Sequence, residues 1–575
     1  MSGLTMLLIS TVVLLAGYFI YGRYLQNKWG IDKNARTPAY EMEDGVDYVP
    51  ADTSIVFGHQ FASIAGAGPI NGPIVASMFG WLPVLLWILF GGIFFGAVQD
   101  FVAMYASVKN KGRSIGYIIE LYIGKTGKKL FLLFVWLFSI LVVAAFADIV
   151  AKTFDGFDAQ GSTVYSNGAV ASTSMIFIVF AVGLGFLLKY ANLNKWLNTG
   201  IAIILLVASI ALGLYFPIYF GLNSWLIFVF LYIMVASVTP VWALLQPRDY
   251  LNSYLLLAMM LCSMVGIIFA RPSMNLAAFN GFHINGQYLF PILFVTIACG
   301  AVSGFHALVS SGTASKQIKN EKSMLPVSFG AMLLECFLAV IALIAVGSIA
   351  LDDPILSGTQ PQIFAAAIAS FLTKLGIHED TSKTLITLAI SAFALTSLDS
   401  VARVGRLSFQ EFFLEDDIAP KDYSLFRKAV TNKYVATIAT LLLAYLLSQV
   451  GYASIWPLFG SANQLLSALA LIACAVFLKK TKRQGAMLWG PMIIMLGVTF
   501  SALTLKIKDL ILKLADNGVT FNTSETTKQF IVMQDGLQLV FGVLLFILGI
   551  IVAYKGINKL FSKEDAKEKA TVFDM

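Results

Sequence analysis

Long apolar segments recur throughout this chain, and they constrain its fold more than any other feature. A helix needs about 20 consecutive apolar residues to cross the hydrocarbon core of a bilayer. We predict about fifteen spans, because that many segments are both long and nearly free of charge. The predicted spans are residues 4–22, 62–80, 82–107, 130–154, 171–189, 198–216, 225–246, 251–270, 287–311, 325–350, 382–402, 434–450, 455–478, 486–506 and 537–555. The sequence therefore predicts an all-α polytopic membrane protein.

The composition agrees with this fold class and excludes others. Only 12% of the 575 residues are charged, whereas soluble proteins carry about 25%. The basic residues lie in short loops and do not form a stripe with interleaved aromatic residues, so we expect no nucleic-acid binding. The sequence contains no phosphate-binding loop and no long polar region for an ATPase domain. An ion gradient, with Na⁺ or H⁺ as coupling ion, is therefore the expected energy source, and no other cofactor is expected.

Lysine and arginine are concentrated in alternate loops between the predicted spans. These basic loops are residues 23–36, 109–129, 189–195, 316–322, 403–433 and 479–483. Basic loops stay on the cytoplasmic side of a membrane. The alternation predicts an N-terminus outside the cell and a C-terminal tail in the cytoplasm.

The stretch 58–73 interrupts a predicted span with four glycines and two prolines. Proline removes a helix donor, and glycine lets the backbone leave helical geometry. Unpaired backbone groups persist in a bilayer only where protein or a wet cavity satisfies them. We therefore predict a helix broken inside the membrane, although a helix that is kinked only for packing is the alternative.

A second glycine-rich interruption, residues 299–313, follows in the ninth predicted span. Two spans after each interruption comes a related pentapeptide, Asp148-Ile149-Val150-Ala151-Lys152 in one case and Asp399-Ser400-Val401-Ala402-Arg403 in the other. The charge count gives the two interrupted spans opposite directions. Two five-span units of inverted orientation, with a substrate site near the midplane between them, are the expected result.

This repeat divides the chain into five parts. Residues 1–61 form an N-terminal span and cytoplasmic loop, 62–216 the first five-helix repeat, and 217–286 two intervening spans. Residues 287–478 form the second, inverted repeat, and 479–575 the peripheral C-terminal spans and the tail.

Broken helices expose N–H and C=O groups that bind substrates and ions in many transporters. The residues expected to contact substrate are Gly66, Gly68, Pro69, Asn71, Gly72, Gly300, Ser303, Gly304, His306 and Ser310. Ionisable groups within spans are functional candidates because their burial is costly. The candidates for ion or proton coupling are His59, Asp100, Asp148, Thr396, Ser397 and Asp399.

The sequence leaves several alternatives open for these residues. Asp148 and Asp399 are equally compatible with structural ion pairs to Lys152 and Arg403, four residues further on. Thr396 and Ser397 offer hard oxygens for sodium next to Asp399, or hydroxyls that bond their own helix. Whether any of the histidines and carboxylates converge on a metal is also left open.

Four stretches closely resemble motifs of the carbon starvation protein A (CstA) family of transporters. They are Gly58-His59-Gln60-Phe61-Ala62-Ser63-Ile64-Ala65-Gly66-Ala67-Gly68-Pro69-Ile70, Gly96-Ala97-Val98-Gln99-Asp100-Phe101, Gly304-Phe305-His306-Ala307 and Trp456-Pro457-Leu458-Phe459-Gly460-Ser461-Ala462-Asn463-Gln464-Leu465-Leu466. The resemblance covers most of the chain. It implies a LeuT-like 5+5 inverted-repeat core, although the two intervening spans depart from the simplest form of that fold.

The resemblance also implies a bacterial inner-membrane importer of peptides or of pyruvate. We expect a secondary active transporter for such small molecules rather than an enzyme, because no nucleophile and base stand together in the sequence. A passive channel and a transporter-like nutrient receptor are the alternatives. The oligomeric state is left open.

Overall fold

Helices account for nearly all of the secondary structure of this chain. The computed structural model describes residues 2–44, 48–158, 160–191, 194–240, 243–414, 423–483, 485–517 and 525–562. Within these residues, eleven helices are long and apolar enough to cross a membrane, judged by length and composition. The expectation of an all-helical polytopic membrane protein is therefore confirmed.

Among the described residues, the first eleven α-helices lie between residues 3 and 215. They are α1 (Gly3–Ala16), α2 (Arg23–Lys28), α3 (Pro38–Glu41), α4 (Thr53–Ile64), α5 (Gly68–Ala76), α6 (Trp81–Leu86), α7 (Ala97–Lys109), α8 (Ile115–Ile123), α9 (Lys125–Phe154), α10 (Tyr165–Tyr190) and α11 (Lys195–Tyr215). A π-helical segment joins α1 to α2 (Gly17–Gly22), and another joins α6 to α7 (Trp87–Gly96). One 3₁₀ turn, Ser77–Phe79, follows α5.

The remaining helices continue in the same manner, with one short hairpin between them. They are α12 (Leu222–Val238), α13 (Leu245–Ala270), α14 (Leu289–Thr296), α15 (Gly304–Gly312), α16 (Ala331–Ser348), α17 (Gln360–Thr373), α18 (Glu379–Phe413), α19 (Leu425–Val430), α20 (Lys433–Ser448), α21 (Tyr452–Lys480), α22 (Ala486–Asn517) and α23 (Glu525–Phe561). The hairpin pairs β1 (His283–Ile284) with β2 (Gln287–Tyr288) in antiparallel fashion. Shorter helical segments are the 3₁₀ turns Ala314–Gln317, Glu321–Ser323 and Pro354–Ser357, and the π-helical segment Leu325–Gly330 that leads into α16.

The number of candidate spans is lower than the predicted fifteen. The eleven candidates exclude the two broken helices, α4–α5 and α14–α15, and the shorter apolar helices α12 and α20. These elements occupy the four other predicted positions. Their length and composition alone do not establish that they cross the membrane.

Both predicted interruptions are present as helix breaks, and each is shorter than the sequence indicates. In the first, α4 continues to Ile64 and α5 begins at Gly68, so residues 58–64 and 68–73 are helical. Pro73 lies inside α5 without ending it. In the second, the chain leaves helical geometry between Thr296 and Gly304. Glycine and proline locate a break but do not fix its length, because proline is accommodated in the first turns of a helix.

The centre of the molecule is formed by α9, α18 and α21. Helix α9 packs along α18 and also contacts α20 and α21. The most apolar stretch of α21 is fully buried, whereas α1, α11 and α12 carry many exposed apolar side chains. Exposed apolar side chains on peripheral helices are expected where a protein faces lipid.

The approach of α7 to the second break depends on a glycine. A Cβ atom on Gly96 would overlap the carbonyl oxygen of Ala301 and lie 3.0 Å from Cε of Met332. By contrast, a Cβ atom on Gly497 in α22 would meet nothing within 4 Å.

We therefore expect Gly96→Ala to lower the thermal unfolding midpoint of the detergent-purified protein. Overpacking of this kind costs about 1–3 kcal/mol, and here the obstacle is backbone, which moves less easily than a side chain. The matched control Gly497→Ala should leave the midpoint unchanged or raise it, since alanine favours the helix by about 1 kcal/mol. Equal midpoints for the two variants would contradict the close contact.

Candidate functional site

The two broken helices touch each other at their breaks. A Cβ atom on Gly68, the first residue of α5, would lie 2.5 Å from Sγ of Cys299 in the second break. One on Gly72 would lie 2.8 Å from the carbonyl oxygen of Thr296. One on Gly300 would lie 3.6 Å from Cα of Pro69. The structure thus brings five of the residues expected to bind substrate, Gly66, Gly68, Pro69, Gly72 and Gly300, to one crossing point of the main chain.

A small cavity lies beside this crossing point. It is lined by Ile64, Gly66, Gly68, Phe138, Val142, Phe146, Cys299, Phe305, Ser397, Val401, Phe459 and Asn463. Its volume of ≈ 20 Å³ has room for about one water molecule. This cavity is too small for a molecule much larger than water.

Asn463 of α21 caps the second half of the second broken helix. Its Oδ1 accepts a hydrogen bond from the backbone N–H of Phe305 at 3.1 Å. Its Nδ2 donates to the hydroxyl of Ser303 at 3.0 Å. Gly304 packs against the backbone of α21 at Ser467. Part of this helix N-terminus, which contains residues that we expected to contact substrate, is thus satisfied by the protein itself.

Three buried ionisable groups from three elements meet next to the second break. Nδ1 of His306 in α15 lies 3.3 Å from Oδ2 of Asp100 in α7. Nε2 of the same ring lies 3.3 Å from Oε2 of Glu335 in α16. All three residues are 0% exposed. The imidazole bridges two carboxyl groups that are more than two hundred residues apart in the sequence.

Gln99 connects this cluster to the break. Its Nε2 donates to the carbonyl oxygen of Ser303 at 2.5 Å, and its Oε1 accepts from the hydroxyl of Ser467. The same Nε2 lies 3.4 Å from Oδ1 of Asp100. Asp100, the backbone of the second break and α21 therefore share one hydrogen-bond network.

The expected oxygen set of Thr396, Ser397 and Asp399 is divided between two faces of α18. Ser397 lines the central cavity. Thr396 accepts a hydrogen bond from Asn252 of α13 at 2.5 Å, and Asp399 accepts one from the hydroxyl of Tyr232 at 2.7 Å. Two successive helix residues point about 100° apart, so these oxygens do not converge on one ion in this conformation.

Asp399 has a different ionic partner from the one the sequence suggested. The buried guanidinium of Arg248 in α13 pairs with Oδ2 of Asp399 and also bonds Tyr232 at 2.7 Å. Arg403 instead donates to the carbonyl oxygens of Ala236 and Thr239 at the end of α12. The structural alternative is correct in kind for Asp399, but its partner comes from a helix outside both predicted repeats.

Asp148 is held as the structural alternative predicted. Its Oδ2 lies 2.8 Å from Nζ of Lys152, one turn further along α9. The same oxygen accepts the backbone N–H of Tyr452 at 2.7 Å and so caps α21. A carboxylate at a helix N-terminus is stabilised by both the N–H group and the helix dipole.

The other predicted residues lie on or near the first broken helix. His59 is half-buried in α4, and its Nε2 has no hydrogen-bond partner among the described residues. Its neighbour Gln60 donates to the hydroxyl of Ser310 in α15 at 2.8 Å. Asn71 of α5 is also buried, and its side-chain amide has no hydrogen-bond partner among the described residues.

Several residues of this region escaped the sequence analysis. Arg248 and Asp249 lie between the predicted spans 225–246 and 251–270, yet both are buried in α13. Gln99 and Asn463 lie inside two of the family motifs quoted above, and that position was the one indication in the sequence that they belong to the site. Within the described ranges no group of three or more His, Cys, Asp or Glu side chains is arranged to hold a metal ion, since the imidazole of His306 lies between Asp100 and Glu335.

Comparison with known proteins decides the family. The profile described as carbon starvation protein CstA matches residues 2–356 and 352–502. The chain belongs to the carbon starvation protein CstA family. The resemblance expected from the four motifs is thereby confirmed.

Similar members of this family are named as transporters. The peptide transporter CstA of Escherichia coli K12 is 32% identical over 554 residues, covering 83% of this chain and 76% of the relative. The peptide transporter CstA of Bacillus subtilis 168 is 30% identical over 529 residues, covering 84% and 86%. The pyruvate/proton symporter BtsT of E. coli K12 is 32% identical over 577 residues, covering 84% and 78%.

A solved structure with a distantly similar backbone is a manganese transporter of Eremococcus coleocola in complex with an aromatic bis-isothiourea compound. It is 14% identical, has a TM-score of 0.46, and covers 90% of this chain and 99% of its own. At this level of similarity we draw no conclusion about fold or substrate from it.

The Arg248–Asp399 pair gives a test of the structural role of Asp399. Removal of one partner from a buried ion pair leaves an uncompensated charge and costs about 3–5 kcal/mol, whereas replacement of both by apolar residues is often neutral. We expect Arg248→Met and Asp399→Leu each to lower the thermal unfolding midpoint strongly. The double variant should recover part of the loss, because Asp249, whose carboxylate lies 3.4 Å from Arg248, still loses its partner. Additive losses in the double variant would show that the two residues stabilise the fold independently.

Proposed function

We propose that this CstA-family chain is a secondary active transporter that imports peptides, or a small carboxylate such as pyruvate, and is driven by a gradient of H⁺ or Na⁺. The observation that carries the proposal is the contact between the two broken helices at their breaks. Backbone breaks in a membrane protein persist where they line a substrate or ion site. The names of the relatives, which include peptide transporters and a pyruvate/proton symporter, agree with this substrate range.

The proposal includes fifteen spans and a LeuT-like 5+5 inverted repeat. Reciprocal packing supports the repeat, since α5 of the first unit packs on α16 of the second and α15 of the second packs on α7 of the first. The third helices of the two units, α9 and α18, pack extensively against each other. A pseudo-two-fold axis in the membrane plane produces both relations. The first repeat, predicted to begin at residue 62, would then begin nine residues earlier, at Thr53, where α4 starts.

A substrate carboxylate is the group that peptides and pyruvate have in common. Helix N-termini bind such anions through free N–H groups and the helix dipole. The start of α5 at Gly68 is the leading candidate, because Asn463 already occupies the N-terminus of α15. The side-chain amide of Asn71, one turn further along, has no hydrogen-bond partner among the described residues and is the proposed second donor to that carboxylate.

Both coupling ions have structural support. The hydroxyl of Ser397 lies within 2.5 Å of the position that a Cβ atom on Gly66 would occupy, so a sodium ion there would find a hydroxyl next to the carbonyl groups of the first break. The cluster of Asp100, His306 and Glu335 favours a proton. The proposed location is the bacterial inner membrane, as the bacterial transporter relatives suggest. The basic alternate loops support an orientation with the N-terminus outside and the C-terminus cytoplasmic.

Purified protein in liposomes tests the proposal. Labelled pyruvate and labelled alanylalanine are offered outside, while a pH gradient or a sodium gradient is imposed separately at zero membrane potential. We expect one of these substrates to accumulate inside above its external concentration under one gradient. Empty liposomes are the control. Flux that stops at equal concentrations would indicate a passive channel, and no flux of either probe under any gradient would favour a receptor.

A further inference from the structure

We propose that Asp100, His306 and Glu335 together form the binding site for one coupling proton. This inference rests on the proposed transport function and names the residues that couple it. The three side chains come from α7, α15 and α16, which are separate elements around the second break. One relative is named a pyruvate/proton symporter, and that name says nothing about which residues bind the proton.

The geometry places one imidazole between two carboxyl groups, with a different ring nitrogen facing each. Both nitrogen–oxygen distances are 3.3 Å, and none of the three residues has any exposed surface. A structural ion pair would need only one carboxylate for one histidine. The second carboxyl group, buried within the membrane at the other nitrogen, calls for a role beyond folding.

Counting protons shows what this arrangement does. A neutral imidazole carries one N–H and one lone pair, so it donates to only one of the two carboxyl groups. The other nitrogen–oxygen contact becomes a hydrogen bond only when one more proton is present, either on the ring or on the second carboxyl group. Without it, two buried carboxylates face a single donor. The site therefore accepts one proton per cycle, taken from water on one side of the membrane and released to water on the other.

The surroundings indicate that Glu335 receives the extra proton. Asp100 already accepts from Gln99 at 3.4 Å. Both oxygens of Glu335 lack a hydrogen-bond partner in the described part of the chain, as do Oδ2 of Asp100 and both ring nitrogens of His306, so Glu335 is the acid without any donor. A buried, ionised carboxylate without donors is costly. Protonation of Glu335 removes that charge and supplies the missing donor to His306.

The other groups facing the cluster do not supply a compensating cation. The titratable groups beside Glu335 are the thiols of Cys299 and Cys336. Helix α21 contributes Ser467, whose hydroxyl donates to Oε1 of Gln99 and does not titrate. From α4, Gln60 donates to Ser310 of α15, and the neighbouring His59 forms no ion pair with Asp100, His306 or Glu335. No lysine or arginine of the described residues forms an ion pair with Asp100, His306 or Glu335.

The position of His306 links the proton to movement. It lies in α15, directly after the second break, whereas the two carboxyl groups lie in neighbouring α7 and α16. Protonated, the cluster ties α15 to both neighbours. Deprotonated, it leaves the carboxylate of Glu335 without a donor and weakens one of those ties. The proton thus has different affinities for two arrangements of α15, which is the requirement for coupling.

The test uses liposomes containing the full chain, a trapped pH-sensitive dye, and labelled pyruvate and labelled alanylalanine as probes. The membrane potential is held at zero and a gradient of one pH unit is imposed. One-proton coupling should then give about tenfold accumulation, because the free energy of a tenfold proton ratio balances that of a tenfold substrate ratio. Addition of the transported probe should also acidify the interior. Counterflow, the exchange of labelled for unlabelled substrate without a gradient, is measured in parallel.

Glu335→Gln keeps the shape of the side chain but removes the acid. We expect it to lose accumulation and dye acidification while retaining counterflow, which also shows that it is folded. Glu335→Asp should recover part of the accumulation. The matched control Glu120→Gln, which neutralises a glutamate paired with Lys128 outside the cluster, should behave like the wild type.

The outcomes separate this inference from the proposed function. Wild-type accumulation driven by sodium alone, or Glu335→Gln with undiminished proton-driven accumulation, would overturn the proton site but leave the transporter intact. Accumulation near a hundredfold would contradict the count of one proton. No flux of either probe in the wild type would contradict the transport function itself. If Glu335→Gln does not fold, Asp100→Asn is measured in the same way, and the wild-type dye signal still decides the proton count.

Discussion

The main constraint on this structure is that a backbone leaving its helix inside hydrocarbon must find partners within the protein. The side chains of Gln99, Trp456 and Asn463 provide such partners at the second break: Gln99 donates to the carbonyl of Ser303, Trp456 donates to that of Thr296, and Asn463 caps the N–H of Phe305. The two breaks also pack against each other, Gly68 on Cys299 and Gly72 on the carbonyl of Thr296. The crossing point is therefore a feature of both breaks rather than a local irregularity in either.

Buried charge obeys the same rule and sorts the ionisable residues into two classes. Asp148 and Asp399 each pair with a cation, Asp148 with Lys152 and Asp399 with Arg248, although Oδ1 of Asp399 has no hydrogen-bond partner among the described residues. The two acids that contact His306 pair with no lysine or arginine of the described residues, and neither oxygen of Glu335 has a hydrogen-bond partner there. A buried acid without a compensating cation is costly and is typical of groups that change state during function. Pairing with a lysine or arginine, by contrast, is typical of groups that hold helices together.

The sequence predicted much of the fold and less of the site, for physical reasons. Hydropathy and length locate helices well, and the chemistry of glycine and proline located both breaks. The lengths of the breaks depend on tertiary contacts, such as the one that Asn463 makes with α15. The meeting of Asp100 with His306 and Glu335 depends on how distant helices pack, which periodicity does not encode. Arg248 was missed because its charge made the start of a membrane helix look like a loop.

Helix α13 lies outside both predicted repeats, yet its buried Arg248 joins it to α18 through Asp399. The same guanidinium lies 3.4 Å from the carboxylate of Asp249, the next residue of α13. One arginine thus serves two buried acids, one on its own helix and one on α18. We expect α13 and α18 to behave as one rigid body, because parting them would strand the carboxylate of Asp399 without a cation.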